Sequence, residues 1–486
     1  MSAVSDKNCF HYFNIIKYSA VFLIAGILLL GFSLSAQGAE TETPAGESIT
    51  LAESIELALE QNWGLMSARE ELRSQEPMVD IAESARYPDI DFSTSYSRFD
   101  ETGVMDADLD EEQLGQLESI EDQDVPTIAN MFEGMDDGQD SMHSTEISLQ
   151  QPIYTFGRIS SGIESAEAAL RAGEAGFTDE RQDLIHDVIT AYHNVILAEE
   201  MVGVQKDHRE AVKSHKEVVE ANLEAGMVTE LDLYEARVAL SEIEQELVEA
   251  ESDLKLARNQ FRSVLGLPET AQISPADEPQ DSLEGMEDEA LKLSEKEERI
   301  DLADNPQLEE LSHQLEASQA DTEAAEAERY PDIALSGSYS LEDDDFGFDE
   351  SSWSVAVSVG LDVFDGGQTR AEIEQAEAES RQLEHAREDM RSQLEVEYER
   401  AFNALSDALS QEDLAFDMRE EAEKRVELAE LRYAEGVGTS TDVLDARAEE
   451  SQARLARKQA EYSRIEAISD VYRVLGHVDK LFEEVN

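Results

Sequence analysis

The sequence is written twice, and that limits the chain to a fold of two matching halves. Ala85-Arg86-Tyr87-Pro88-Asp89-Ile90 returns as Glu328-Arg329-Tyr330-Pro331-Asp332-Ile333, a displacement of 243 residues (Tyr87 to Tyr330). The match runs on: Ser93, Ser95, Tyr96 and Ser97 reappear as Ser336, Ser338, Tyr339 and Ser340, and upstream Asn62 and Leu65 fall on Asn305 and Leu308. Further along the displacement drops to 210 (Gly157 to Gly367). In that register Gly226, Thr229, Asp232, Ala236 and Arg237 return as Gly436, Thr439, Asp442, Ala446 and Arg447, and Val264-Leu265-Gly266 as Val474-Leu475-Gly476. The 33 residues by which the two displacements differ sit in an acidic stretch from about Glu101 to Ser144, so the first half carries an insertion of the kind tolerated at exposed loop tips.

Each half reads the same way. Residues from about 50 to 85 and from about 305 to 328 have helical composition and stop before Tyr-Pro, because proline disfavours helix at the residue before it. Two strands follow in each half, expected at about 88–98 and 145–155, then at about 331–341 and 353–363. Their residues alternate with period two: Ile90, Phe92, Thr94 and Tyr96 against Asp91, Ser93 and Ser95, and Trp353, Val355, Val357 and Val359 against Ser354, Ala356 and Ser358. About ten residues is what a tilted membrane-spanning strand needs. Tyr87, Tyr154, Phe156, Tyr330, Trp353 and Phe364 cluster near the strand ends, as an aromatic girdle requires. A soluble sandwich with the apolar face as its core is the alternative, but long helices give such a core little to cover it.

Gly157 to Ala225 and Gly367 to Glu435 then run without proline. At 1.5 Å per residue each makes a helix of about 100 Å. Each stops at a glycine, Gly226 or Gly436, and a returning helix starts at Thr229 or Thr439, whose hydroxyl can cap it. Two helical hairpins are expected, over about 157–265 and 367–475. The domain order is therefore a first repeat over 40–267, a proline-containing acidic linker over 268–304, a second repeat over 305–478 and a short tail over 479–486.

Lys7 and Lys17 precede an apolar run from about Ser19 to Leu34, and small residues follow, so residues 1–39 are expected to be a secretory signal peptide. The single cysteine, Cys9, lies before that run. No later segment is apolar for twenty residues, so a membrane would have to be crossed by strands. The formal net charge of -75, from 37 basic and 112 acidic side chains, argues against a nucleic-acid partner, whose phosphates need basic groups. The acidity is spread along the whole chain, and a salt-loving source accounts for it.

With these residues in view, the chain resembles the TolC-like outer-membrane efflux family over about residues 50–478. The likeness is carried by the paired Arg-Tyr-Pro-Asp-Ile segments, by Gly157-Arg158 and Gly366-Gly367-Gln368 after the strands, and by the two Gly-x-x-Thr-x-x-Asp-x-x-x-Ala-Arg tips. The resemblance implies a mixed α+β membrane protein, mainly α, whose homotrimer forms a twelve-stranded β-barrel continuous with a periplasmic α-helical coiled-coil barrel. Four strands alone leave a sheet edge unpaired in lipid, so closure needs several chains. The implied function is an outer-membrane exit duct for small molecules, drugs or type I secretion, partnered by a periplasmic adaptor and an inner-membrane pump. The adaptor would dock at the tips, at Gly226, Thr229, Asp232, Gly436 and Thr439.

The family narrows its periplasmic end at acidic residues on the second returning helix, and the matching positions are Asp442 and Asp445, which share a helix face. In a trimer they would make two carboxylate rings that favour cations. Tyr433 matches a tyrosine in the family's gate network, whereas Gly438 stands where well-known relatives carry a bridging arginine. Asp232 and Glu235 are the first-half counterparts, expected outside the constriction.

Other motifs fail. Asp106, Asp108 and Asp110 begin like a calcium loop, but Glu111 stands where glycine is required and Leu117 where glutamate is. His186 with His193 and His208 with His215 have helix-face spacing without a metalloprotease motif, so they read as packing. With no phosphate-cradling loop and no nucleophile motif, neither an enzyme nor a cofactor is expected. The competing class is a periplasmic coiled-coil adaptor, which would carry one hairpin rather than two. A dedicated metal-efflux duct gains no support from methionine clusters or paired ligands.

Overall fold

A computed structural model of the chain describes residues 48–98, 141–276, 302, 304–343 and 350–480. All lie within one unit, Gly46–Asn486. The expected signal peptide, the failed calcium loop and most of the 268–304 linker fall outside the described residues. The elements in order are β1 (Ser48–Ile49), α1 (Leu51–Gln61), α2 (Trp63–Ser84), β2 (Asp89–Arg98), β3 (Ser141–Tyr154), α3 (Arg158–Glu224) and α4 (Glu230–Val264). Then come β4 (Ser274–Pro275), α5 (Pro306–Ala327), β5 (Asp332–Asp343), β6 (Glu350–Gly360), α6 (Gln368–Ala434) and α7 (Ser440–Val474). The front of the linker is tied down, because β4 pairs in parallel with β1.

The four long strands form one antiparallel sheet in the order β2-β3-β5-β6. Its register sorts the alternating residues into two faces. One apolar row runs Phe92, Ile147, Tyr339, Trp353, and the next runs Ile90, Leu149, Gly337, Val355. The opposite face carries Ser93, Glu146, Ser340 and Ser352 in one row, with Ser340 and Ser352 hydroxyls 2.7 Å apart. Phe92 and Val357 remain 67% and 69% exposed, so among the described residues the apolar face is not a sandwich core.

Two 67-residue helices, α3 and α6, set the length of the molecule, about 100 Å each. Ion pairs and one side-chain hydrogen bond fix how the others lie on α3. Arg171–Glu316 at 3.2 Å and Gln307–Asp179 at 3.1 Å lay α5 antiparallel along its first half. Arg237–Glu220 at 3.3 Å and Arg258–Glu199 at 2.7 Å lay α4 along its second half. Lys458–Glu200 and Arg454–Asp207 bind α7 to the same stretch. The main apolar core sits at the middle of both long helices: Ile185, Val188, Tyr192 and Val195 of α3, Tyr398 and Leu405 of α6, with Ile55, Phe261, Ile468 and Tyr472. Burying each such side chain contributes about 1.5–3 kcal/mol.

At this waist the sequence expectation of one helix over 50–85 is refined. Asn62 leaves the helical region (φ -65°, ψ 123°) and splits α1 from α2. Its Oδ1 accepts from Leu65 N, and its Nδ2 donates 2.8 Å to Val264 O, one of the carbonyls left over at the end of α4. The second half repeats the device: Asn305 caps α5 through Gln307 N and donates 3.0 Å to Val474 O at the end of α7. Each asparagine thus joins the end of a returning helix to the start of a strand-side helix. The glycines beyond, Gly266 (φ 72°) and Gly476 (φ 74°), lie so close that a Cβ would fall 2.2 Å from Gln61 O or 2.8 Å from Asp304 O.

Asn305 is 3% exposed, so Asn305→Ala leaves buried donors and an acceptor unpaired. The expected cost is about 1–3 kcal/mol, read as a lower thermal midpoint by circular dichroism in detergent. An unchanged midpoint would remove the asparagine from the joint.

Candidate functional site

The hairpin tips are built by the same local chemistry in both halves. Gly226 and Gly436 adopt φ of 73° and 74°, the left-handed conformation that ends a helix at lowest cost in glycine. Thr229 then caps α4 and Thr439 caps α7, each in a reciprocal capping box with the aspartate three residues on. The Thr439 amide donates to Asp442 Oδ2 at 2.9 Å, and the Asp442 amide donates back to Thr439 Oγ1 at 3.1 Å. Asp232 accepts from both the amide and the hydroxyl of Thr229, each at 2.7 Å.

These bonds favour the charged carboxylates. The Thr439 backbone and hydroxyl hold Asp442 below the usual carboxylate range, and the Thr229 hydroxyl and backbone do the same for Asp232. Asp442 and Asp445 both stand exposed at the start of α7, whereas Val443 and Ala446 are buried against the neighbouring helices at 1% exposure. The two carboxylates therefore share an open face, and Asp442 also helps cap the start of its helix.

Tyr433, half-buried near the end of α6, accepts a 3.4 Å hydrogen bond from Asn222 Nδ2 of α3. Its ring lies 5.2 Å from that of His215. His215 Nε2 and Ser440 Oγ share a 2.8 Å hydrogen bond, and Thr441 Oγ1 donates 2.9 Å to Glu235 Oε2 of α4. Arg447 pairs with Glu430 and with Glu450, and Arg425 pairs with Glu449, so the second hairpin is also buttoned to itself. At Gly438 the backbone amide donates 3.0 Å to Arg432 O, and a Cβ would fall 3.1 Å from Arg432 Cβ and Tyr433 N. A larger residue there would have to push that turn aside, which is the local reason glycine suits this tip.

Sequence reasoning placed Asp442, Asp445 and Tyr433 at the tip, read His215 as packing, and gave no role to Asn222, Ser440 or Thr441. Glu235, expected outside the constriction as the counterpart of Asp445, accepts from Thr441 at the seam between the two hairpins. The seven-residue spacing of His208 and His215 was the available signal, but spacing says only that they share a face, not which helix that face meets.

Residues 54–267 and 301–477 match the family model described as outer membrane efflux protein, and the gap between the two blocks falls where the two halves join. Outer membrane protein OprJ of Pseudomonas aeruginosa is 27% identical over 352 residues, which is 68% of this chain and 70% of OprJ. Outer membrane efflux protein BepC of Brucella suis biovar 1 is 23% identical over 463 residues, covering 93% of this chain and 89% of BepC. The crystal structure of the outer membrane protein VceC from Vibrio cholerae superposes with a TM-score of 0.71 at 17% identity, over 88% of this chain and 96% of that one. Duplicated strand pairs, duplicated hairpins and a two-block match over most of the sequence agree: the chain belongs to the outer membrane efflux protein family.

Proposed function

We propose that three copies of the chain form the exit duct of an efflux or type I secretion system, a twelve-stranded barrel in the outer membrane continuous with a helical tunnel in the periplasm. One observation carries the reading. At every level the chain is an open arc whose ends lie on the same two flanks. The sheet ends at β2 and β6. Beside the strands the order of helices is α2, α3, α5, α6, and toward the tips it is α4, α3, α7, α6. One flank belongs to the first half throughout and the other to α6 and β6. An arc with unlike ends can be closed by repeating it head to tail.

The sheet makes closure obligatory in lipid, because unpaired edge N–H and C=O groups in hydrocarbon cost several kcal/mol each. Strands of 10, 14, 12 and 11 residues are long enough to cross at a tilt. The flanks also hold apolar side chains that a neighbour would cover: Trp63 and Ile81 on α2, Tyr234 and Val238 on α4, Leu428 and Leu431 on α6.

At the tips Asp442 and Asp445 would form two rings of three carboxylates across the opening, with Tyr433 in the network that holds them inward. Gly226, Thr229, Asp232, Gly436 and Thr439 shape the tips on which a periplasmic adaptor would dock, with exposed Met227, Leu231 and Val437 as its apolar contacts. An inner-membrane pump would load the duct through that adaptor. Two hairpins and a strand pair in each half leave the adaptor reading of the chain itself without support.

Reconstituted in planar bilayers, the chain should form cation-preferring pores blocked from the tip side by a trivalent cation. Asp442→Asn with Asp445→Asn should weaken that block by about tenfold or more; undiminished block would remove both residues from the gate. On gels, the membrane-extracted protein should run unheated as an assembly of about three chains and collapse on boiling to a single chain. A single-chain band without heating would end the ring proposal.

A further inference from the structure

Near the tips the first hairpin grips the second through a part-buried contact that contains a titratable ring. His215 projects from α3 onto the joint between α6 and α7. Ser440, its 2.8 Å hydrogen-bond partner, is the first residue of α7 and only 2% exposed. Tyr433 closes the other side at 5.2 Å. The groups that face the ring are Tyr433 and Glu430 from α6, and Ser440 and Arg447 from α7.

A neutral imidazole suits this place and an imidazolium does not. Neutral, the ring shares a hydrogen bond with a hydroxyl that can serve as donor or acceptor. Charged, it would sit against the first turn of α7, whose unpaired N–H groups carry partial positive charge. Glu430 would welcome the charge, but it is already paired with Arg447. Burial pushes His215 below its ordinary 6.5; Glu430 works against that shift and Arg447 adds to it.

We infer that His215 is a proton-sensitive latch: neutral, it holds the gate segment from Tyr433 to Asp445 against the first hairpin, and protonated, it lets that segment swing away. The inference rests on the gate reading above and adds what controls it. In the open state the ring would be solvated and titrate at its ordinary value. A group depressed in the closed state stabilises closure fully above that ordinary value, and the stabilisation is lost as pH falls through the depressed one. Acid therefore opens the duct. Each pKa unit separating the two states is worth tenfold in the opening equilibrium. Asp442 is held below the usual carboxylate range by Thr439, burial pushes His193 at the waist to about 4, and burial also lowers His208, between Glu450 and Arg447, which makes His208 the control that the test must include.

The test is the open probability of the full chain in planar bilayers between about pH 7.5 and about pH 5, the range in which histidine changes charge. In the native protein it should rise severalfold. His215→Gln, which can still bond Ser440 but cannot titrate, should flatten that rise while keeping the unheated assembly band on gels. His208→Gln, seven residues away on the same helix, should leave it intact. Ser440→Ala should raise the open probability already at the higher pH. A full acid response in His215→Gln, or a response abolished by His208→Gln instead, overturns the latch. Trivalent block measured on the same membranes keeps the two readings apart. Block that depends on Asp442 and Asp445 without any acid response sinks the latch alone, and block indifferent to both aspartates sinks the gate.

Discussion

A sheet that ends in lipid leaves a row of backbone donors and acceptors with nothing to bond, and hydrocarbon offers no water in compensation. In the proposed ring β2 and β6 are such ends, since the sheet of this chain stops at both. The register turns Phe92, Ile147, Tyr339 and Trp353 to one side and Ser93, Glu146, Ser340 and Ser352 to the other, and joining the ends as proposed would give the polar side to a lumen. The helices continue the same arc away from the sheet. Each long helix follows its strand through a left-handed turn: Phe156 and Gly157 precede α3, Gly366 and Gly367 precede α6. Phe156 adopts φ of 50° at the place where the second half has glycine, and its ring stacks 5.3 Å from Tyr330 and meets Tyr154 edge-on at 4.6 Å, contacts that offset the backbone strain.

Much of this was legible because duplication tests every reading against itself. Gly226 and Gly436 predict a helix end, Thr229 and Thr439 predict the next start, and each pair appears in the structure with matching dihedral angles and a matching capping box. Strand faces were legible for the same reason, since period-two alternation in Trp353 to Val359 fixes the sides without knowledge of neighbours. The break at Asn62 was not. An asparagine inside helical composition carries only a weak bias, and what decides it is a carbonyl two hundred residues away, on Val264. The Asn62–Asn305 match was visible as a repeat, but a repeat says that a residue is used twice, not what it touches.

The tip shows the same division. Local chemistry announced the caps, and with them Asp232 and Asp442. The seam between the hairpins, with His215 on Ser440, Asn222 on Tyr433 and Thr441 on Glu235, depends on how two helices of different halves are set in register. That register is fixed farther up by Lys458–Glu200, Arg454–Asp207 and the core around Tyr192 and Ile468. No local pattern around His215 carries it. The acidic composition, so conspicuous in the sequence, divides at the tips: Glu430 and Glu449 pair with arginines, Asp442 caps α7, and Asp445 faces out.

The asparagine joints have a mechanical side as well. At the waist α3 and α6 pass through unbroken, whereas the returning helices α4 and α7 stop there and hand over to α2 and α5 across Asn62 and Asn305. A wall of alternating whole and spliced rods does not flex evenly. Among the described residues, helical continuity from the sheet half to the tip half runs only through α3 and α6, and at the splices the register is carried by two asparagine side chains and the close-packed glycines beside them.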